Sequence, residues 1–562
     1  MQFKKLAEYF ESLEKTSSRL EMTRILAQVF EEASETEIDK TCYLSLGRLV
    51  PAYANLEFNL AEKMVMRAMA RVTGEEVSEV TKHYKQLGDL GLVIATELLK
   101  RKSIKSVKSV KEVYETLRKI AQDSGQGSQE RKVSGLAGLL GAVDGLSGKY
   151  IVRMVVGKLR LGFSDKTIID ALSWMVKGDK SLRIELEQAY FVRADIGALA
   201  STVKQRKSVK SVSPTLGIPV MPALCQRLKS AQEMIEKMGK VAVEPKFDGT
   251  RCQIHIKGKE LLRTFTRNLE ESTAMFPELS SAWRQIKAES VILDSEAVGM
   301  DPKSGKWLSF QETMVRKRKH DVEETSRKVP LKFYVFDVLY KDGKSLLDEP
   351  LHKRRQILEA ILRGRGPLQL TEQLVTDEVE ELREYHLRQL QRGLEGVVVK
   401  KWEGAYVPGR REFNWVKFKE EETAAGGLAD TLDCVVIGYY RGRGKRTKFG
   451  IGAFLVGVRQ EDKFLTIAKV GTGLTDEQWK DLKARSTKFE TRNQPKEYHV
   501  HKSLIPDVWV EPKIVVEIAA DNITRSPNHS AGVALRFPRL VRLREDKSVD
   551  QATSLVEVQR MM

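Results

Sequence analysis

Three patterns of apolar residues follow one another along the chain. Up to about residue 205, apolar side chains recur three and four positions apart, for example across 20–29, which is the spacing of one face of an α-helix. Short β-branched runs then alternate with helical segments, and the last part shows strand-like runs between glycine-rich turns. These patterns predict an all-α domain over 1–205, an α+β domain over 206–425 and a small β-barrel over 426–562.

Two segments have the composition of domain linkers. Lys204–Pro214 is basic, rich in serine and closed by proline, and it stands between the first two predicted domains. Glu420–Gly427 joins glutamates to alanine and glycine just before the predicted barrel. This composition suits a linker between the middle domain and the barrel.

The net charge narrows the class of partner. The chain carries 95 lysines and arginines against 77 aspartates and glutamates, a net charge of +18, which points to a polyanion or an acidic membrane surface. No run is long and apolar enough for a transmembrane helix, and the N-terminus has no signal-peptide core. The four cysteines are scattered, so neither a zinc site nor a disulfide framework is expected. A nucleic acid in a reducing cytoplasm is therefore the leading partner.

The most informative motif lies at residues 241–251. An apolar run ends at a proline, and the pattern Lys-x-Asp-Gly-x-Arg follows at Lys246, Asp248, Gly249 and Arg251. A lysine beside another fixed cation can lose its proton and become a nucleophile. The alternative is an ordinary surface lysine in a hairpin, and the surrounding pattern favours the nucleophile.

Acidic residues occur in two later strand-like segments. Alternation places Asp294 and Glu296 on one face of a strand at Leu293–Val298. Glu395 opens a second strand. Carboxylates brought together near a phosphate are magnesium ligands by default, although each segment alone fits an ordinary salt bridge equally well.

Cationic and aromatic residues alternate along two further strands. In the first, Trp415, Lys417 and Lys419 share a face, and the two lysines repel each other unless an anion such as a triphosphate lies between them. In the second, Phe336 is expected to share a face with Val338, where an aromatic ring could stack on a purine. A solvated strand face and ordinary core packing are the respective alternatives.

Several segments have the charge needed to contact phosphates. Arg536–Lys547 is unusually basic for the end of a domain, and arginine forks suit phosphates, although a basic edge strand would look similar. Four further basic runs occur at Lys102–Lys111, Lys204–Lys210, Arg316–Lys319 and Arg441–Lys448. Each run alone is typical of a solvated surface, but their recurrence in all three predicted domains favours a wrapped duplex.

Taken in order, these segments resemble the motif series of the ATP-dependent DNA ligases. The resembling segments are Glu244–Arg251, Phe265–Asn268, Leu293–Val298, Tyr334–Asp337, Glu395–Lys400, Trp415–Lys419 and Arg536–Lys547. The resemblance covers essentially the whole chain and is nearest to the archaeal replicative type, which shares its core with the eukaryotic replicative enzyme. It implies a helical DNA-binding domain, an α+β nucleotidyltransferase (adenylation) domain and a C-terminal β-barrel OB-fold.

The resemblance also implies a role for each motif residue. Lys246 would carry AMP, Glu244 would contact adenine and Phe336 would stack on the base. Glu296 and Glu395 match acidic residues linked to ribose and metal. Cations around the nucleotide and its phosphates are Arg251, Arg267, Arg411, Lys417 and Lys419. The C-terminal motif, which closes over ATP in the family, contributes Arg536, Arg544, Asp546 and Lys547.

The implied activity is the sealing of nicks in duplex DNA during replication, repair and recombination. The implied cofactors are ATP and Mg²⁺, with Mn²⁺ as an alternative, and the implied partner is nicked double-stranded DNA bound by a monomer. Clamp binding is left open, because the chain near Lys102–Lys105 shows no aromatic pair for a sliding-clamp pocket.

Two other functions compete with this interpretation. One is a capping guanylyltransferase or RNA ligase, which would share the Lys-x-Asp-Gly pattern but not the long helical N-terminal part. The other is a non-catalytic DNA-binding protein, for which the net charge alone would suffice. Labelling by GTP rather than ATP would favour the first, and salt-sensitive duplex binding without any covalent nucleotide would favour the second.

Overall fold

The computed structural model describes residues 1–99, 108–210, 212–228, 230–308, 310–313, 322–419, 431–442, 444–520 and 522–561. The predicted linker Glu420–Gly427 and the basic run Arg316–Lys319 lie outside the described residues. The basic runs Lys102–Lys111 and Arg441–Lys448 are described only in part. The chain divides into two compact units, Met1–Phe418 and Lys419–Met562.

The first unit begins with helices, as the apolar spacing predicts. They are α1 (Phe3–Lys15), α2 (Arg19–Glu32), α3 (Ile38–Ser45), α4 (Glu62–Thr73), α5 (Val77–Leu87), α6 (Leu90–Leu99), α7 (Val110–Gln122), α8 (Ser128–Gly141), α9 (Gly145–Val155), α10 (Asp165–Lys177), α11 (Arg183–Val192) and α12 (Ile196–Lys204). Their apolar faces enclose one continuous core. Val209, just beyond α12, is buried in that core.

Glycines let α6 and α9 approach each other closely. A Cβ atom on Gly145 would lie 2.7 Å from the carbonyl oxygen of Ala95, and one on Gly91 would lie 2.7 Å from the carbonyl oxygen of Lys149. Contacts this short are not tolerated between a side chain and backbone. The two helices therefore pack backbone to backbone through these positions.

A partly buried ion network ties α1 and the residue preceding α6 to α9. Arg153 binds Asp89 at 2.7 Å and Glu14 at 3.0 Å, and Lys149 binds Glu14 at 2.8 Å. Burial would raise the pKa of Glu14, but hydrogen bonds from Arg153 and Lys149 outweigh it and lower the pKa to about 2. The network thus stabilises the ionised carboxylate at neutral pH.

The middle part of the first unit mixes helices and strands, as predicted. Its helices are α13 (Ala231–Met238), α14 (Phe310–Thr313), α15 (Val322–Lys328), α16 (Leu351–Ile361) and α17 (Val379–Gln391). Its strands are β1 (Leu224–Arg227), β2 (Val241–Pro245), β3 (Thr250–Lys257), β4 (Glu260–Thr266), β5 (Ser290–Gly299), β6 (Leu331–Lys341), β7 (Lys344–Ser345), β8 (Leu368–Leu370), β9 (Leu374–Thr376), β10 (Gly396–Lys401) and β11 (Arg411–Lys419).

These strands form two sheets. The first has the order β1-β11-β10-β2-β9, and the second has the order β4-β3-β5-β6-β7 with β8 beside β6. One face of the first sheet packs valines such as Val243 and Val399 against α13 and α17. Because side chains alternate across a strand, the opposite face presents Glu244, Lys400 and Trp415. This polar face becomes one wall of the candidate site.

The helical part packs directly against the middle part within the first unit. Tyr53 meets Phe265 edge to face at a centroid distance of 6.0 Å. Glu187 on α11 binds Arg410 at 3.3 Å. The helical part therefore supports the loop that leads into β11.

The second unit is rich in strands, which confirms the predicted sheet-rich C-terminal domain. Its strands are β12 (Leu432–Tyr440), β13 (Ala453–Gln460), β14 (Lys463–Val470), β15 (Glu490–Thr491), β16 (Tyr498–His499), β17 (Val508–Val510), β18 (Val515–Ala519), β19 (Asn522–Arg525), β20 (Val533–Arg536) and β21 (Arg539–Leu543). Its helices are α18 (Asp476–Thr487) and α19 (Leu555–Arg560). Strands β12, β13 and β14 form an antiparallel meander, and β12 also pairs with β17 and β18. Within the described parts of the chain, no helix is long and apolar enough to cross a membrane.

Candidate active site

Lys246 lies where β2 ends, as its sequence context predicts. Its backbone N–H donates to the carbonyl oxygen of Gly396 at 2.9 Å, which keeps the chain beside β10 for one more residue. Its ammonium group forms an ion pair with Glu395, the residue just before β10. Both side chains are about a quarter exposed. The lysine is therefore held at the end of β2, and its side chain remains partly open to solvent.

The turn after Lys246 accepts only a glycine at position 249. A Cβ atom on Gly249 would lie 2.3 Å from the carbonyl oxygen of Ala297 in β5. Phe247 anchors the same turn by stacking on Tyr334, with ring centroids 4.1 Å apart. The turn is thus pressed against the second sheet, which fixes where the backbone of Lys246 can lie.

Arg251 is a buried cation with a dedicated partner. Its Nε and Nη2 atoms donate to the two oxygens of Asp294 at 3.0 and 2.6 Å, and Nη1 donates to the carbonyl oxygen of Ala223 at 2.7 Å. Tyr406 completes the group, because its hydroxyl donates to Asp294 at 2.7 Å. Burial works against the charged guanidinium, but Asp294 outweighs it and raises the pKa of Arg251. Arg251 therefore provides a permanent positive charge.

Glu296 lies opposite Arg251 across the β3–β5 ladder. Burial disfavours its charged form and raises its pKa to about 7, against the opposing effects of Arg251 and Lys246. A carboxyl group whose pKa is raised close to 7 by burial beside two cations is a functional candidate. Its oxygens suit a hard divalent cation, which would stabilise the ionised form.

A second buried ion pair lies on the polar face of the first sheet. Lys400, 1% exposed, binds Glu244 at 2.7 Å. Its ammonium group also donates to the carbonyl oxygen of Phe336 at 3.2 Å and lies 4.5 and 4.3 Å from the ring centroids of Phe336 and Trp415. Gln373 donates to the other oxygen of Glu244 at 2.9 Å. The carboxylate of Glu244 and the partly exposed ring of Phe336 thus both contact the ammonium group of Lys400.

The expected grouping of Phe336 with Val338 is wrong. Val338 packs into the core behind the second sheet, together with Val335, whereas Phe336 lies beside Trp415 on the site side. The β5–β6 register shifts at two places, between Ile292 and Leu293 and between Asp294 and Ser295. Each shift adds one residue on β6, so strict alternation fails there.

The remaining predicted cations lie around these groups. Arg267, exposed just after β4, lines a narrow cleft together with Arg251 and Asp294. Arg411 is exposed at the start of β11. Val416 and Phe418 point into the apolar core on one side of β11 and Trp415 to the other, which confirms the predicted alternation of this strand. Lys417 and Lys419 are partly exposed on the Trp415 side.

The C-terminal motif forms its own ion network within the second unit. Asp433 binds Arg544 at 2.9 Å and Lys547 at 2.6 Å. Arg544 also binds Asp546 at 2.7 Å, which holds the pKa of Asp546 well below its usual value. Arg536 is exposed at the end of β20. Three of the four predicted residues therefore share one cluster.

Sequence reasoning missed residues that hold the predicted site residues in place, two in the first unit and one in the second. Tyr406, Gln373 and Asp433 belong to no recognised motif, and each acts through a partner more than a hundred positions away. Only Tyr406 carried a local signal, since it stands five residues before Arg411 in a turn rich in proline and glycine. Both Asp294 and Arg251 were recognised from the sequence, but not that they form an ion pair with each other.

A lysine at a strand end, paired with a carboxylate and close to further ion-paired cations, is an arrangement suited to nucleophilic chemistry on a phosphate. Three family profiles match the chain: "DNA ligase N terminus" over 2–173, "ATP dependent DNA ligase domain" over 222–419 and "ATP dependent DNA ligase C terminal region" over 447–547. The chain belongs to the ATP-dependent DNA ligases.

Full-length relatives agree with this family. A "Probable DNA ligase" of Dictyoglomus thermophilum is 42% identical over 575 residues, covering 100% of this chain and 97% of the relative. The "DNA ligase" of Sulfurisphaera tokodaii is 38% identical over 588 residues, covering 100% and 97%. The solved structure Pmar-Lig_PreS3 shares the fold with a TM-score of 0.55 at 16% identity, covering 96% of this chain and 99% of that one.

Proposed function

We propose that this protein seals nicks in duplex DNA in three nucleotidyl-transfer steps. Lys246 Nζ attacks the α-phosphorus of ATP, so that a P–N bond forms and pyrophosphate leaves. The AMP then passes to the 5′-phosphate at a nick, which frees the lysine. The 3′-hydroxyl finally attacks that phosphate, forms the phosphodiester bond and releases AMP.

The observation that carries this proposal is the placement of Lys246 against Glu395. Attack on phosphorus needs the neutral amine, whereas a free lysine is protonated at neutral pH. Glu395 accepts the hydrogen bond from Nζ and is therefore the group placed to receive its proton. Asp294 keeps Arg251 protonated and fixed in place, so that Arg251 would add a positive charge near the reacting phosphate.

The other predicted residues take roles that follow from their positions. Glu244 and Phe336 both contact the ammonium group of Lys400 and would receive the base. The cations that would hold the triphosphate are Arg267, Arg411, Lys417 and Lys419. Arg536, Arg544, Asp546 and Lys547 would act on the ATP when the C-terminal domain closes in the first step.

Glu296 and Glu395 fit a divalent cation, with Mg²⁺ as the leading candidate and Mn²⁺ as the alternative. Both offer oxygen ligands near Lys246. Burial disfavours the ionised form of Glu296 and raises its pKa, and a bound cation would offset this effect by stabilising the carboxylate. When bound, the metal would neutralise charge on the phosphates.

The proposed partner is nicked double-stranded DNA, bound by a monomer. The net charge of +18 supports a long phosphate contact. We place the domain boundaries near 205 and 425 and the protein in the cytoplasm, where its four free cysteines would remain reduced. Clamp binding is not part of this proposal, because residues 100–107 lie outside the described chain.

The test is labelling with α-labelled ATP and Mg²⁺, followed by denaturing electrophoresis of protein first shown to be free of AMP. Lys246→Ala should abolish the labelled band, whereas Lys240→Ala, at an exposed lysine just before β2, should keep it. Chasing the labelled protein with nicked duplex should release AMP and yield sealed product. A band that persists in Lys246→Ala would remove this lysine from the mechanism, and labelling by GTP alone would favour a guanylyltransferase.

A further inference from the structure

Gln373 faces Glu244 across the edge of the first sheet. Strand β9 pairs antiparallel with β2, with Val243 opposite Leu374. Continuing this register by one residue sets Glu244 opposite Gln373, where directly opposed side chains are close enough to bond. The amide Nε2 indeed donates to Glu244 Oε1 at 2.9 Å.

Both oxygens of Glu244 are therefore held, each by a different donor. Lys400 holds Oε2 at 2.7 Å, and the Lys400 side chain is itself fixed between Phe336 and Trp415. Because Glu244 is only 2% exposed, little water is available to replace either donor. The plane of the carboxylate is set by these two bonds together.

We propose that Gln373 is a positioning residue that makes this site select adenine over guanine. This inference rests on the proposed function, in which the base lies beside Glu244 and Phe336. An ion-paired carboxylate accepts hydrogen bonds and donates none. It can accept from the 6-amino group of adenine, but it opposes the O6 acceptor of guanine.

The contribution of Gln373 is to keep the remaining lone pairs of Glu244 aimed at the base. A carboxylate offers about four acceptor positions, and the two donors occupy one position on each oxygen. Without Gln373, Oε1 loses the amide donor that holds it, and the carboxylate can turn about its Cγ–Cδ bond towards Lys400. Rejection of guanine then weakens, because the opposing oxygen is no longer fixed in place.

The experiment compares kcat/KM for covalent labelling by ATP and by GTP within each variant, using full-length protein and Mg²⁺. The ratio of the two values cancels the active fraction, so a loss of folded protein alone does not move it. Wild-type protein should prefer ATP by a factor on the order of 10⁴. Gln373→Leu should lower this preference about tenfold, the worth of one hydrogen bond to a charged group.

Matched variants sharpen the comparison. Gln369→Leu removes another glutamine amide of the same domain, which donates to the carbonyl oxygen of Gly366 at 2.9 Å, and it should leave the ratio unchanged. Glu244→Gln supplies an N–H that can meet O6 and should shift the ratio towards GTP by roughly a hundredfold or more. Gln373→Asn keeps the amide on a shorter side chain and should fall between wild type and Gln373→Leu.

The outcomes separate this inference from the proposed function. If ATP labels Lys246 but Gln373→Leu keeps the wild-type ratio, this inference is overturned and the ligase proposal stands. Equal use of ATP and GTP by the wild type would overturn it as well. If no nucleotide labels the protein, the proposed function fails and this inference fails with it.

Discussion

Replacing Asp294 by asparagine tests whether the buried pair with Arg251 acts as one unit. Asparagine keeps the shape of the side chain but removes its charge. The carboxylate is 1% exposed, and the two bonds that it receives from Arg251 are 3.0 and 2.6 Å long. Asp294→Asn would therefore leave a guanidinium enclosed by protein beside a neutral amide.

The expected cost follows from the balance between attraction and desolvation. At an effective dielectric constant of about 20, unit charges about 3 Å apart attract by roughly 5 kcal/mol. The guanidinium has already lost much of its hydration, so removing one partner typically costs about 3–5 kcal/mol. We expect Asp294→Asn to lower the free energy of unfolding of the first unit by this amount and to slow labelling by ATP.

The assay is a double-mutant cycle measured by urea unfolding without nucleotide. The variants are Asp294→Asn, Arg251→Met and the double variant. Because the double variant leaves no unpaired charge, its destabilisation should be smaller than the sum of the two single effects by at least about 2 kcal/mol. The fluorescence of Trp415, whose ring centroid lies 5.4 Å from the guanidinium, provides a local signal.

Additivity would refute this reasoning. If the double variant loses the sum of the single effects to within about 0.5 kcal/mol, the two residues do not stabilise each other. A matched control is available in Arg354, which binds Asp337 at 2.8 Å with both side chains fully buried. The cycle at that second pair should show coupling of similar size while leaving labelling by ATP less affected.

Three further outcomes are expected. Gly249→Ala should slow ATP labelling roughly a hundredfold, because its Cβ would displace the lysine turn from β5; a wild-type rate would refute the close approach. Glu14→Gln should cost about 1–2 kcal/mol of stability at pH 7, after discounting for partial exposure, since a pKa lowered to about 2 stabilises the fold above pH 4.5. That difference should vanish as the pH falls from 4.5 to 2 in denaturation curves, and a constant difference would contradict it. Asp433→Asn should slow labelling by ATP more than sealing of a pre-adenylated nick, because it breaks the ion pairs that hold Arg544 and Lys547. The two steps are measured in separate single-turnover assays. Equal slowing of both steps would argue against a role confined to the first step.

Local pattern was sufficient to predict most elements and to place Lys246 at the end of a strand. Apolar spacing predicted the helices of the first two hundred residues, and alternation predicted the two faces of β11. Proline after an apolar run predicted that Lys246 follows a strand, and β2 ends at Pro245. These features depend only on residues a few positions away, which can be read directly from the sequence.

Pattern failed where an extra residue interrupts a strand. The register shift between Asp294 and Ser295 makes Phe336 the extra residue on β6 and so moves Val338 to the face opposite Phe336. A prediction based on strict alternation of faces assumes that the strand contains no extra residue. The local composition of β6 gives no sign of the bulge. The side chains beyond the bulge were therefore assigned to the wrong face.

By itself, the sequence determined the order of helical, mixed and sheet-rich regions, the motif around Lys246 and the basic charge. The tertiary structure alone decided which partner each charged group has: Asp294 and Tyr406 for Arg251, and Lys400 with Gln373 for Glu244. The physical reason is that periodicity specifies which face a side chain occupies, whereas its partner depends on the register between strands far apart in the chain. That register is set by the packing of both sheets as a whole.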